Sequence, residues 1–197
     1  MAPLRRWTAR QRVPSPPSRL RPTGPAPTRG PDHDPWNARS DLLKGRFCFL
    51  NECAKLGRPV DWTAASQSLL WRFNLHYFDS LHLLAPREQV RLCREWIEAN
   101  PLGEGVGGHP YPTALRIVNW CRAGVSASDL LESLYRQAAY LSRTPESHVY
   151  GNHLLENARA LVVAGRYLQG QGEAGQWTEQ GLSIYRDELD EQFLTDG

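Results

Sequence analysis

His148-Val149-Tyr150-Gly151-Asn152-His153-Leu154-Leu155-Glu156-Asn157-Ala158-Arg159-Ala160-Leu161 is the stretch from which both the fold and the chemistry are read. Gly151-Asn152 is a turn-type pair. Asparagine is also a good N-cap, because its side-chain oxygen accepts from N–H groups that the first helical turn leaves unpaired. From there Leu154, Leu155, Ala158, Leu161, Val162 and Gly165 recur at helical spacing, which predicts a helix from Asn152 to about Leu168. Asn152 and Glu156 are four residues apart, as are His153 and Asn157, so each pair shares one helical stripe. Amides, an imidazole and a carboxylate therefore gather near the positive end of the helix dipole, which suits a ligand carrying a carboxylate. A plain helix, capped by Asn152 and carrying a satisfied His153, would place the same residues the same way.

The preceding segments weigh the two readings. Asp61-Trp62-Thr63 is expected to open a helix in which Trp71, Phe73, Leu75, Tyr77, Phe78, Leu81 and Leu84 face nearly all round, so most of it is buried. It nevertheless carries Arg72, Asn74, His76 and Asp79, and buried polar groups must be paired or must line a cavity. Pro86 starts a second helix, to about Ala99, with Val90, Leu92, Cys93, Trp96 and Ile97 as its stripe. Asn100-Pro101 ends it. A glycine-rich loop from Gly103 to Gly108 leads into His109-Pro110-Tyr111-Pro112-Thr113, and Pro112 suits the first turn of the helix that follows. On that helix Arg116, Asn119 and Trp120 share a face. Ser126 or Ser128 caps another helix, to about Ser142, which Thr144-Pro145-Glu146-Ser147 breaks. After the stretch quoted above, Gly170 to Gly175 forms a loop, and a last helix runs from about Gln176 to Phe193. Phe47-Cys48-Phe49-Leu50 reads as a brief extended segment. Six main helices, short loops and no convincing sheet predict an all-α, antiparallel helical array.

Length and composition bound the rest. At 197 residues and 41% apolar content the chain can build one domain with a core. Residues 1–35 are rich in proline, arginine, serine and threonine. Pro14, Pro16, Pro17, Pro22, Pro25, Pro27, Pro31 and Pro35 forbid a regular helix, and the segment is expected to be disordered. That leaves residues 36–197 as the folded domain. The net charge of +2, much of it in the N-terminal segment, argues neither for nor against a polyanionic partner; with only Trp7 in that segment before Trp36, aromatic interleaving is missing and no nucleic-acid partner is expected. The four cysteines, Cys48, Cys53, Cys93 and Cys121, lack zinc-site spacing and read as buried thiols, with a Cys48–Cys53 bridge as the alternative. No metal or other cofactor is implied, since the histidines are not at ligand spacing on one helix. No apolar run reaches the roughly 18–20 residues that cross a bilayer, so no membrane span is expected. The N-terminus has no apolar core of a secretory signal, so the chain reads as cytoplasmic as written.

Three segments, in order and spacing, carry a resemblance: Leu70-Trp71-Arg72-Phe73-Asn74-Leu75-His76-Tyr77-Phe78-Asp79; His109-Pro110-Tyr111-Pro112-Thr113-Ala114-Leu115-Arg116-Ile117-Val118-Asn119-Trp120; and Gly151-Asn152-His153-Leu154-Leu155-Glu156-Asn157. From about Leu43 to Gly197 the chain resembles the N-terminal domain of the heparinase II/III family of polysaccharide lyases. That resemblance implies an incomplete (α/α) toroid of antiparallel helical hairpins, followed in full-length members by β-sandwich domains. It implies an acidic polysaccharide or oligosaccharide as partner, heparan sulfate-like or alginate-like, cleaved by β-elimination, and a periplasmic or secreted bacterial setting. Carried over, Asn152 or Glu156 grips the substrate carboxylate, and His153 is the base or its support. Asn74, His76, Tyr77, His109, Tyr111, Arg116, Asn119, Trp120 and Asn157 line the sugar groove, with Trp120 and Tyr111 stacking on sugar faces.

Two departures from the family pattern bear on activity. Gly108 stands where relatives usually carry a tryptophan. The family's catalytic tyrosine lies further along than Gly197, so the 197-residue chain is expected to be inactive alone, and a missing C-terminal half or β-sandwich would be its partner. A toroid cut part-way also leaves apolar helix faces to be covered. Sulfate recognition calls for an Arg/Lys cluster. Only Arg72, Arg116, Arg122 and Arg159 are available, which favours an unsulfated uronic polymer. The alternatives are a non-catalytic acidic-carbohydrate-binding helical domain and a helical scaffold whose polar groups satisfy one another.

Overall fold

The computed structural model describes residues 12–27, 36–144 and 152–192. Among these the fold is all-α with one small hairpin. Helix α1 (Arg39–Leu43) leads into strands β1 (Arg46–Phe49) and β2 (Glu52–Lys55), which pair antiparallel with Cys48 opposite Cys53. Helix α2 (Leu69–Leu75) is capped by Ser68, whose hydroxyl accepts from the Trp71 amide at 3.3 Å. A 3-10 helix (Asp79–Leu83) follows. Then come α3 (Pro86–Ala99), α4 (Pro110–Arg122), α5 (Ser128–Ser142), α6 (Asn152–Tyr167) and α7 (Ala174–Gln192).

Helix α6 runs against both α4 and α7, and α5 touches α3, α4, α6 and α7. The α6–α7 approach is close: a Cβ on Gly165 would sit 2.5 Å from the Ala174 carbonyl oxygen. The core is aromatic near α2. Phe78 stacks on Trp62 and meets Trp96 and Trp120 edge-on, at centroid distances of 5.6, 6.2 and 5.7 Å. Such offset and edge-on pairs add to burial energy that is already about 1.5–3 kcal/mol per large side chain. Phe78 sits there at φ 64°, a left-handed backbone that lets the chain leave α2 and turn at once into the 3-10 helix.

Several expectations are corrected. The extended segment near Phe47 is one arm of a hairpin, closed by Leu50-Asn51 at φ 55° and 63°. Its register brings Cys48 and Cys53 into a disulfide, so only Cys93 and Cys121 are buried free thiols. No helix opens at Asp61. Its carboxylate instead accepts from the Thr63 amide and hydroxyl at 3.0 and 2.6 Å, a local bond that competes with helix formation. The cap of α5 is Ala127, with no side-chain bond. Asn152 is itself the first helical residue of α6, so its cap position falls on Gly151, outside the described residues, as does His148.

Part of the N-terminal segment expected to be disordered is docked. The Thr23 amide donates to the Tyr167 carbonyl at 3.0 Å, and the Gln171 side chain both accepts from and donates to the Arg21 backbone. Val13 and Leu20 pack on the core. A few backbone bonds and two aliphatic side chains hold a segment whose composition looked too polar to fold. No helix among the described residues is long and apolar enough to cross a membrane.

Candidate functional site

At the start of α6, Asn152 is exposed and His153 is half-buried. The His153 ring stacks on Tyr111, with centroids 4.1 Å apart and planes at 25°. Tyr111 is aimed there because it lies in the first turn of α4, where Pro110 is the first helical residue after the cap position at His109. Tyr111 in turn meets Tyr77 edge-on at 5.9 Å. Burial first, then Tyr111 and Asp79, push the Tyr77 phenol well above its ordinary value. The line continues through Asn119, whose amide nitrogen donates to the Tyr77 carbonyl at 2.9 Å and to the Asp79 carboxylate at 2.6 Å. Arg122 donates to the other end of the same amide at 3.4 Å.

Asp79 opens onto a cavity of ≈ 450 Å³ walled by Trp36, Asn51, Asn74 and His82, among others. Asn74 donates to the Leu70 carbonyl at 2.8 Å, which fixes its amide at that wall. His109 packs on Phe73 at 5.3 Å. One helical turn beyond Asn152, Glu156 is paired with Arg159 at 2.9 Å. Tyr185 of α7 stands within reach of both. Burial raises its phenol, Arg159 pulls the other way, and Glu156 adds to the rise.

Four of the expected groove residues lie in the core instead. Trp120 is fully buried between Phe78 and Trp96. Asn157 is fully buried. His76 accepts from the Trp96 indole N–H at 2.9 Å. Burial, then the cations Arg116 and Arg72, depress its pKa to about 3. Arg116 lies 3.8 Å over the Trp96 ring. It donates to Gln137 at 2.7 Å, to the Gly107 and His76 carbonyls at 3.1 and 3.3 Å, and to the Thr113 hydroxyl at 3.3 Å. Desolvation lowers its pKa to about 9, which still leaves it charged at neutral pH. Spacing alone cannot tell a polar side chain that lines a cavity from one satisfied inside the core.

Two residues escaped the sequence reading as site members. Asp79 was visible as a polar residue in an apolar run, and that was the signal that could have placed it. Tyr185 gave no signal, because only the α6–α7 packing brings it to Glu156. Gly108 is explained by space: a Cβ there would fall 2.4 Å from backbone atoms of Glu104, so no tryptophan fits at this turn. Among the described residues no cluster of three His, Cys, Asp or Glu side chains can hold a metal ion.

The comparisons with known proteins bear on this arrangement. Residues 125–197 match the family model described as Heparinase II/III N-terminus. The heparan sulfate lyase HepC from Pedobacter heparinus has the same fold, with a TM-score of 0.69 at 19% identity over 98% of this chain and 34% of that one. The heparinase III-BT4657 gene product matches with a TM-score of 0.67 at 18% identity, over 80% of this chain and 31% of its own. This chain therefore spans about a third of the length of these solved structures. A comparison with curated proteins returns no match. The shared helical architecture makes the fold an incomplete (α/α) toroid like that of these solved structures, and residues 125–197 are similar to the heparinase II/III N-terminus.

Proposed function

We propose that the chain supplies the helical part of a polysaccharide lyase site that cleaves uronic-acid-containing chains by β-elimination. The C5 proton of a uronate is a weak acid while the neighbouring carboxylate is charged, because its removal drives more negative charge onto that group. Hydrogen-bond donors already aimed at the carboxylate stabilise the charge as it develops. Asn152 is that donor in this reading, exposed at the positive end of α6. Glu156 is the weaker candidate, since Arg159 already engages its carboxylate. His153 takes the C5 proton. The C5–H electrons form the C4=C5 double bond, the C4–O4 bond breaks, and O4 leaves with a proton from a general acid.

The observation that carries this reading is the 4.1 Å stack of His153 on Tyr111. It fixes the plane of the imidazole in the first turn of α6, where Asn152 is the neighbouring residue. A donor of Asn152's kind is worth about 3–4 kcal/mol in the transition state and about 1 kcal/mol in ground-state binding.

Binding is the readout, because the chain spans about a third of its structural relatives. Calorimetric titration with heparan sulfate, alginate and hyaluronan oligosaccharides is expected to show association that weakens about fivefold in Asn152→Ala. His153→Ala is expected to weaken it similarly. Association untouched by both substitutions would overturn the proposal. Sensitivity to Asn152→Ala alone would favour a non-catalytic acidic-carbohydrate-binding domain.

A further inference from the structure

We infer that the ≈ 390 Å³ cavity between α3 and α5 is a binding site for a small zwitterion, an α-amino acid with an aliphatic side chain. The inference does not depend on the lyase reading above. A cavity of that size falls in the range of small-molecule sites, roughly 300–1,000 Å³. The pattern of α5 is the first observation. Asp129, Glu132, Ser133, Arg136 and Gln137 recur at i, i+3, i+4, i+7 and i+8, the spacing of one helical stripe. A stripe packed wholly against its neighbours would be apolar. This one is polar throughout, and all five residues line the cavity.

Charge selects the ligand. Asp129 is already neutralised, because Arg94 grips its carboxylate with two bonds, at 2.6 and 3.1 Å. Glu132 and Arg136 are not. They stand four residues apart with the acid N-terminal, the favourable order for a helix ion pair. Yet both are exposed, and neither pairs with the other or with any other described residue. An unpaired anion and an unpaired cation one helical turn apart match an ammonium and a carboxylate carried on a single carbon. An acid or an amine alone would leave one of the two charges unmatched.

The remaining walls complete the site. Gln137 is 1% exposed and its side chain is held at both ends. Its oxygen accepts from Arg116 at 2.7 Å, and its nitrogen donates to the Ser133 hydroxyl at 3.1 Å. Ser133 therefore accepts from the core side and keeps its proton for a ligand carboxylate. Across the cavity, Ile97 of α3 and Leu102 of the loop after it give an apolar wall for the ligand's side chain. Asn100, the C-cap of α3, donates to the Trp96 carbonyl at 2.8 Å and so ties that loop to the helix end.

The test is calorimetric titration of the full 197-residue chain with three ligands of one shape: leucine, leucinamide, which lacks the carboxylate, and 4-methylpentanoate, which lacks the ammonium. Leucine is expected to bind with a Kd on the order of 1 mM or tighter, and each of the other two about tenfold more weakly. The variants exchange these preferences. Glu132→Gln is expected to bring leucine down to the affinity of 4-methylpentanoate, whose own binding is unchanged. Arg136→Gln is expected to bring leucine down to the affinity of leucinamide in the same way. Both side chains are exposed and unpaired, so the melting curves should not move. No association with leucine by about 10 mM would overturn the inference. Equal affinity for the three ligands would overturn it too, as would leucine binding that neither variant weakens.

Discussion

Stability measured against pH decides whether His76 is a core imidazole or a groove residue. Its side chain is 2% exposed, accepts the Trp96 N–H at 2.9 Å and lies beside the Arg116 guanidinium. Burial, then Arg116 and Arg72, lower its pKa from 6.5 to about 3. In the unfolded chain the ordinary value of 6.5 returns. Between those two values the unfolded chain binds a proton that the folded protein refuses. Stability from this group is therefore complete above pH 6.5, is lost as the pH falls, and stops falling near pH 3. From pH 6.5 to 4 the interval is 2.5 units, which at 1.36 kcal/mol per unit is about 3 kcal/mol. His76→Gln cannot titrate but keeps an acceptor for the Trp96 N–H. Urea unfolding of both proteins, followed by tryptophan fluorescence at pH 7 and pH 4, isolates this contribution, because every other titrating group cancels in the difference. The wild type is expected to lose about 3 kcal/mol more than the variant over that range. Parallel losses, equal to within about 1 kcal/mol, would mean that His76 is solvated when folded, and the core assignment would fall.

Two further outcomes follow from the same geometry. Arg116→Met leaves Gln137, Gly107 and His76 acceptors inside the core without their donor, so chemical denaturation is expected to show a loss of about 3–5 kcal/mol. Arg116→Lys should recover only part of it, because an ammonium cannot reproduce the planar fork. Gly24→Ala would put a Cβ 1.9 Å from the Arg166 carbonyl oxygen and should lift the docked N-terminal segment off α6. Amide exchange at Thr23 is expected to rise to that of an unprotected chain, with a global stability change below about 1 kcal/mol. Retained protection at Thr23 would contradict the docking.

The helices were legible because their apolar periodicity is strong and their ends carry proline or a glycine-rich loop: the expected Pro86–Ala99 helix is the observed α3. The hairpin was not, since its two strands are four residues each and the turn that sets their register uses Leu50, a residue that sequence rules do not place in left-handed backbone. The disulfide inherits that illegibility, because Cys48 meets Cys53 only once the register is known. The helix expected from Asp61 failed to a local bond: Asp61 captures Thr63, and the helix waits for Ser68. Within the candidate site, the adjacency of His153, Tyr111 and Tyr77 could be anticipated only as a set of motifs. Nothing in the spacing gave their order or said that Asn119 would tie Tyr77 to Asp79.

The buried polar residues and the exposed ones are parts of one arrangement. Arg116 bonds the carbonyls of Gly107 and His76. Gly107 stands two residues before the cap of α4, and His76 stands one residue before Tyr77. Tyr140 adds a bond to the Gly108 carbonyl at 3.1 Å. The core thus grips the backbone immediately ahead of both tyrosines on which the His153 stack depends. A buried arginine that only filled space would be replaceable by packed apolar side chains at little cost. One that fixes two backbone segments is not, because a shift in either moves Tyr111 against Tyr77 and tilts the imidazole. It follows that Arg116→Lys should disturb saccharide association along with stability, whereas a large-to-small change remote from Gly107 and His76, such as Leu134→Ala in the α5 core, should cost stability alone.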